Sequence, residues 1–178
     1  MRKLQLEELN RDSLSEYHNK EKPKVIVVLD NIRSGNNVGS IFRTCDAFAF
    51  EKIILCGYTP QPPHKEINKT AIGAHLSVPW QHFDEISSAI AQLKSEGYRI
   101  YGIEQTSESV LLQDAHFSRE DSIALVFGNE VNGLTDDILP HLDEAIEIDQ
   151  YGTKHSLNVA VCAGMVLWEV NKAVRELL

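Results

Sequence analysis

Apolar residues in this chain gather in short unbroken runs separated by longer amphipathic stretches. The run Val25-Ile26-Val27-Val28-Leu29 contains no polar alternation, the pattern of a strand buried on both faces. Similar runs predict strands over 52–56, 98–103, 123–127 and 145–148. Between them apolar residues recur at helical spacing, predicting helices over 38–48, 65–74, 84–96 and 135–139, with a last one over 157–170. Asn36 and Asn37 are the expected N-caps of the first helix. Thr135 followed by Asp136 and Asp137 reads as another helix start, a cap with acids at the positive end of the dipole. Residues 1–22 read as an amphipathic helical extension, with Leu4, Leu6, Leu9 and Leu14 among charges and an end before Pro23. Strand and helix alternate, so the expected fold is α/β, a mostly parallel sheet covered by helices.

In such sheets ligands bind at loops beyond the C-terminal ends of the strands, and three loops there have unusual composition. The first spans 30–43, with two glycines and small polar residues that let backbone N–H groups at a helix N-terminus approach an anion. Arg43 follows on the helix, where a guanidinium could hold a phosphate or stand solvated. The second, 127–134, places Glu130 between Gly128 and Gly133 directly after an apolar strand. Its carboxylate could serve as general base, as ligand acceptor or as an ordinary loop acid. The third, 148–159, brings Ser156 and Asn158 to the start of an apolar segment. Ser156 is a candidate cap of that segment, which is apolar nearly all round and must be buried in the core or against another subunit. His155 beside Ser156 does not make a hydrolase, since no GxSxG elbow is present. Neither the GxGxxG fingerprint nor a Walker loop occurs, which weighs against an ordinary nucleotide-binding protein.

Composition changes this picture only at its margins. A chain of 178 residues, 43% hydrophobic and 24% charged, suits one soluble domain. No apolar run reaches the roughly 18–20 residues of a membrane span. The opening Met1-Arg2-Lys3-Leu4-Gln5 lacks the apolar core of a secretory leader. A cytoplasmic protein is therefore expected. Cys45, Cys56 and Cys162 form no CxxC pair, so neither a disulfide framework nor a zinc site is expected. The net charge of −9 argues against simple nucleic-acid binding, but residues 84–150 hold 15 acids against 3 bases. The remainder is close to neutral and is free to supply a surface that faces nucleic acid.

Taken in order, the three loops resemble the signatures of the SpoU family of tRNA and rRNA 2′-O-methyltransferases, within the SPOUT superfamily. The first signature stands as Asn31…Asn37-Val38-Gly39-Ser40-Ile41-Phe42-Arg43-Thr44-Cys45-Asp46-Ala47-Phe48. The second stands as Gly128-Asn129-Glu130-Val131-Asn132-Gly133-Leu134, and the third as Ile148 with Gly152 and Ser156-Leu157-Asn158-Val159. The resemblance spans residues 24–170. Asp149 replaces the usual proline after the isoleucine of the third signature.

This resemblance implies that residues 23–178 form a methyltransferase domain whose C-terminal segment is tucked into a deep trefoil knot. It implies S-adenosylmethionine held by Phe127, Gly128, Ile148, Gly152, Ser156 and Leu157. It places Arg43, Asn37, Glu130, Ser156 and Asn158 in the catalytic group. It further implies an RNA substrate, tRNA before rRNA, a homodimer with the active site near its interface, and no metal. A guanidinium with pKa above roughly 12 hardly gives up its proton. Arg43 is therefore expected to clamp phosphate and stabilise a developing alkoxide, rather than act as a base. The alternative is an RNA-binding relative that keeps the fold without turnover.

Overall fold

The computed structural model describes residues 1–176, and residues 177–178 of the expected domain lie outside it. Seven strands form one sheet in the order β3-β2-β1-β6-β4-β7-β5. They are β1 Val25–Asp30, β2 Lys52–Cys56, β3 Trp80–Phe83, β4 Arg99–Ile103, β5 Val110–Leu111, β6 Ile123–Phe127 and β7 Glu144–Glu147. Every pairing is parallel. β1 and β6 occupy the centre and are buried along their whole length, as their unbroken apolar runs predict. The sequence reading missed β3 and β5. β3 is a mixed Trp-Gln-His-Phe edge and β5 has two residues, so neither carries a both-face apolar run.

Helices cover both faces. On one lie α2 Gly35–Phe48, α3 Lys65–Ala71, α4 Ala74–Ser77 and α6 Val159–Val174. They pack Val38, Ile41, Phe42, Ile67, Val166 and Val170 against the odd-numbered side of β1. On the other, α5 Ile86–Ser95 and the segment carrying Leu134 and Ile138 cover Ile26, Val28, Ala124 and Val126. α2 and α3 approach so closely that a Cβ on Gly39 would stand 2.6 Å from the Ile67 carbonyl oxygen. No larger residue fits there.

Four local expectations are corrected. Residues 1–22 do not form one helix: a 3-10 turn Leu6–Leu9 and the short α1 Leu14–Asn19 take its place. Leu4, Leu9 and Leu14 are exposed, and Tyr17 is the buried anchor of the segment; the Leu6 side chain lies outside the described residues. The cap of α2 is Ser34, whose Oγ accepts the Asn37 N–H at 3.3 Å, rather than Asn36 or Asn37. The helix expected over 65–74 breaks at Ile72 and Gly73, both at positive φ. Residues 135–139 form turns leading into a 3-10 turn Leu139–His141 instead of a helix. Pro140 lacks the N–H that a continuing helix needs.

Candidate active site

The central strands β1 and β6 are neighbours, yet their following segments depart to opposite faces of the sheet. This is a topological switch point, where parallel sheets open a crevice. Glu130 spans it. Its carboxylate accepts the backbone N–H of Arg33 at 2.9 Å and of Ser34 at 3.3 Å, and the Asn37 side-chain amide at 3.0 Å. An acid thus sits at the positive N-terminal end of α2. Burial alone would push its pKa up. The donors from Arg33, from its own backbone, from Asn37 and from Ser34 outweigh that, and hold it below the ordinary carboxylate range.

The chain of contacts continues into the third loop. The Asn37 oxygen accepts the Asn158 amide at 3.2 Å. The Asn158 oxygen in turn accepts the N–H groups of Ala160 and Val161, at 2.9 and 3.3 Å, and so caps α6. The cap is therefore Asn158 and not Ser156. One bonded row, Glu130–Asn37–Asn158, ties the three loops and the starts of two helices together.

The second loop is held with equal care. Asn129 and Gly133 pair across a tight turn through both backbone N–H groups. A Cβ on Gly128 would stand 2.5 Å from the Gly133 carbonyl oxygen and from the Leu134 nitrogen, so the turn closes only over glycine. Asn129 is buried, with its oxygen accepting Val131 and Asn132 N–H and its amide donating to the Asn31 carbonyl and the Tyr58 hydroxyl. Glu104, at the end of β4, accepts the N–H groups of Leu134 and Gln105, each at 2.9 Å.

These loops enclose a cleft of about 730 Å³. Of the expected site residues, Phe127, Gly128, Glu130, Ile148, Ser156 and Leu157 line it. Asn37 and Asn158 stand behind Glu130. Gly152 lies away from the lining, in an exposed stretch with open space around it. Arg43 also lies elsewhere. Six residues past Asn37, it is turned about 240° around the helix axis. It faces a second groove of about 590 Å³, with Ser40, Thr44, Phe48, Lys69, Thr70 and Ile72.

The loop Glu104–Ser107, absent from the sequence expectations, lines the cleft beside the second loop. The rule that directed attention to three strand ends applied equally to the end of β4. Asn129 and Cys162 also line the cleft unannounced.

The lining combines apolar walls (Ile103, Phe127, Ile146, Ile148 and Leu157) with the carboxylates of Glu104, Asp136 and Glu147 and that of Glu130. It contains neither lysine nor arginine. Such a cleft suits a flat, largely apolar ring attached to a positively charged centre. Among the described residues no group of three His, Cys, Asp or Glu side chains is arranged to hold a metal ion.

Comparison with known proteins agrees with this geometry. The SpoU rRNA Methylase family matches residues 24–168. The 23S rRNA (guanosine-2′-O-)-methyltransferase RlmB of Neisseria meningitidis is 32% identical over 154 residues, covering 86% of this chain and 60% of that protein. The tRNA (guanosine(18)-2′-O)-methyltransferase of Aquifex aeolicus is 30% identical over 164 residues, covering 92% of this chain and 76% of the enzyme. Among solved structures, the A. aeolicus TrmH/SpoU tRNA modifying enzyme superposes with a TM-score of 0.81 at 28% identity, over 92% of this chain and 81% of that one. The AdoMet-bound rRNA methyltransferase of Sinorhizobium meliloti superposes with a TM-score of 0.80 at 27% identity, over 89% of this chain and 58% of that one. This chain thus spans a little under two thirds of its rRNA-directed relatives and more of the tRNA-directed one. With the family matched over residues 24–168 and a relative 30% identical over 92% of this chain's length, the chain belongs to the SpoU methylase family.

Proposed function

We propose that this protein transfers a methyl group from S-adenosylmethionine to a ribose 2′-hydroxyl of RNA. The observation that carries the reading is the cleft, built by the second and third loops, with apolar walls and carboxylates but no basic side chain except His155. S-adenosylmethionine supplies an electrophilic methyl on a sulfonium. Phe127, Gly128, Ile148, Ser156 and Leu157 would hold it, with Glu104 and Glu147 facing its positive charge. The row Glu130–Asn37–Asn158 keeps the loops in register and fixes the approach of the hydroxyl, which is where alignment lowers the barrier. Arg43 holds the RNA phosphate and stabilises the oxygen as its proton passes to solvent; the oxygen–methyl bond forms as the methyl–sulfur bond breaks, and S-adenosylhomocysteine leaves. The bacterial tRNA-directed relatives of Aquifex aeolicus and Thermus thermophilus are matched over 76% and 83% of their length, against 60% for the rRNA-directed RlmB, which supports tRNA as the substrate.

Arg43 and the cleft come together through a second copy. α6 leaves Val161, Met165 and Trp168 exposed, spaced as one helical stripe. At one end of the stripe Leu157 lines the cleft. At the other the Trp168 ring lies 6.0 Å from Phe48, which shares its groove with Arg43. The stripe is about 10 Å long, so antiparallel pairing of two α6 helices sets the Arg43 end of one protomer against the cleft end of its partner. A twofold homodimer of this kind buries the stripe and completes the site.

The knot is part of the same reading. The crossover between β5 and β6 lies on the α2–α6 face, with Phe117 packed on Tyr101. The tail after β7 returns to that same face as α6, an arrangement that supports a threaded C-terminus. We place the protein in the cytoplasm: no helix among the described residues is long and apolar enough to cross a membrane, and Cys45 and Cys56 are buried free thiols. Calorimetric titration with S-adenosylmethionine tests the donor site. Saturable binding that Gly128→Ala removes is expected, and no binding by the wild type would contradict the proposal.

A further inference from the structure

Tyr58 is an exposed aromatic residue tied to the loops that follow β1 and β6, and the loop that carries it is rigidly built. The residue is 61% exposed. Its hydroxyl receives the Asn129 amide at 2.7 Å, and its backbone N–H donates to Asn31 Oδ1 at 3.2 Å. The same Asn129 amide reaches the Asn31 carbonyl at 2.8 Å, so Tyr58 is tied to both the first and the second loop. The next residue, Thr59, is buried. Its hydroxyl accepts the Ile32 N–H at 3.0 Å and lies within hydrogen-bond distance of the Leu29 and Cys56 carbonyls. Hydrogen bonds to two neighbouring loops thus fix a large apolar ring that the fold leaves in solvent.

Core packing does not account for such a ring, since Tyr58 buries little. Stability does not require it either, because the Asn129 amide already has the Asn31 carbonyl as a partner. A fixed, exposed aromatic face beside a nucleic-acid site matches one occupant best, an unstacked nucleobase. We propose that Tyr58 is the platform on which a base of the RNA substrate, at or next to the reacting nucleotide, stacks to bring its ribose over the cleft. This role rests on the RNA-methyltransferase reading above. Tyr58 positions substrate and takes no part in the proton or methyl transfer.

The test compares Tyr58→Phe with Tyr58→Leu, which both lose the hydroxyl and differ only in the aromatic face. Methyl transfer from labelled S-adenosylmethionine is measured on total RNA from cells lacking the gene, alongside calorimetric binding of S-adenosylmethionine alone. Tyr58→Phe is expected to stay near wild type. Tyr58→Leu is expected to lose about 5- to 150-fold in kcat/KM for RNA, the size of one base–aromatic stack. Its loss should lie mainly in KM, with cofactor affinity unchanged. Tyr58→Trp should match or exceed the wild type and report RNA binding through quenching of its indole. Equal activity of the Leu and Phe variants, or a loss in Tyr58→Leu matched by weaker cofactor binding, would overturn the platform role while leaving the activity standing. Absence of ribose methylation by the wild type would overturn the underlying activity, and this role with it.

Discussion

Glu130 Oε1 accepts the Asn37 side-chain amide at 3.0 Å across 93 residues of sequence. The same carboxylate takes two backbone N–H groups from the loop that leads into α2. With three donors on two oxygens, Glu130 acts as a clamp between the loops that follow β1 and β6, and not as a free base.

Glu130→Gln replaces one acceptor oxygen with a donor that faces other donors. An unpaired polar group costs about 1–3 kcal/mol when fully buried; Glu130 is only partly buried, so the cost lies near about 1 kcal/mol and the melting temperature should fall by about 2–4 °C at pH 7. Methyl transfer should fall with it. The Glu130 carboxyl is held below its ordinary pKa, so its stabilising effect is present above the unfolded value of roughly 4.3 and is lost as pH drops through the folded value. Thermal melts of both proteins from pH 7 to pH 3 should converge at the acid end.

Asp30 shows the opposite sign. At the end of β1 it is 1% exposed, and its Oδ2 has no hydrogen-bond partner. Burial first, then the charges of Asp137 and Glu85, push its pKa up to about 6. The folded protein therefore binds this proton more tightly than the unfolded chain. The carboxyl weakens the fold progressively as pH rises from about 4 to about 6, and the penalty persists above. Asp30→Asn keeps the acceptor that Asn31 uses. Its melting temperature relative to wild type should rise between pH 5 and pH 8, an increase worth about 1–2 kcal/mol. A difference independent of pH would contradict the assignment.

How far the chain could be read before its structure was known depended on burial. β1, β2 and β6 were legible because strands covered on both faces must be apolar without interruption. β3 and β5 were not, because an edge strand needs no such run. In the site, the order of the loops was legible and the partners of their residues largely were not. Asn37 and Arg43 sit six residues apart in one signature, yet helical rotation points one at Glu130 and the other at the Lys69 groove. Glu104 went unread because nothing in its local sequence distinguishes it. Its role comes from the Leu134 N–H, thirty residues away.

The separation of Arg43 from the cleft leads to a complementation test. Arg43→Ala and Glu130→Ala homodimers should each be nearly inactive. Mixed and allowed to exchange, they should form heterodimers in which one cleft is intact and faces an intact Arg43, restoring up to about half of wild-type activity per heterodimer under the twofold arrangement. Met165→Glu should sediment as a monomer and should be inactive with S-adenosylmethionine affinity retained. A fully active monomer would contradict the shared site.

The bond that the protein forms on RNA is directly measurable. Total RNA from cells lacking the gene is incubated with the protein and isotopically labelled S-adenosylmethionine, digested to nucleosides and resolved by mass spectrometry. The expected product is a nucleoside with label on its ribose 2′-oxygen, concentrated in the tRNA fraction, and Arg43→Ala should not form it. Label on a base, or no transfer by protein that binds S-adenosylmethionine, would contradict the account.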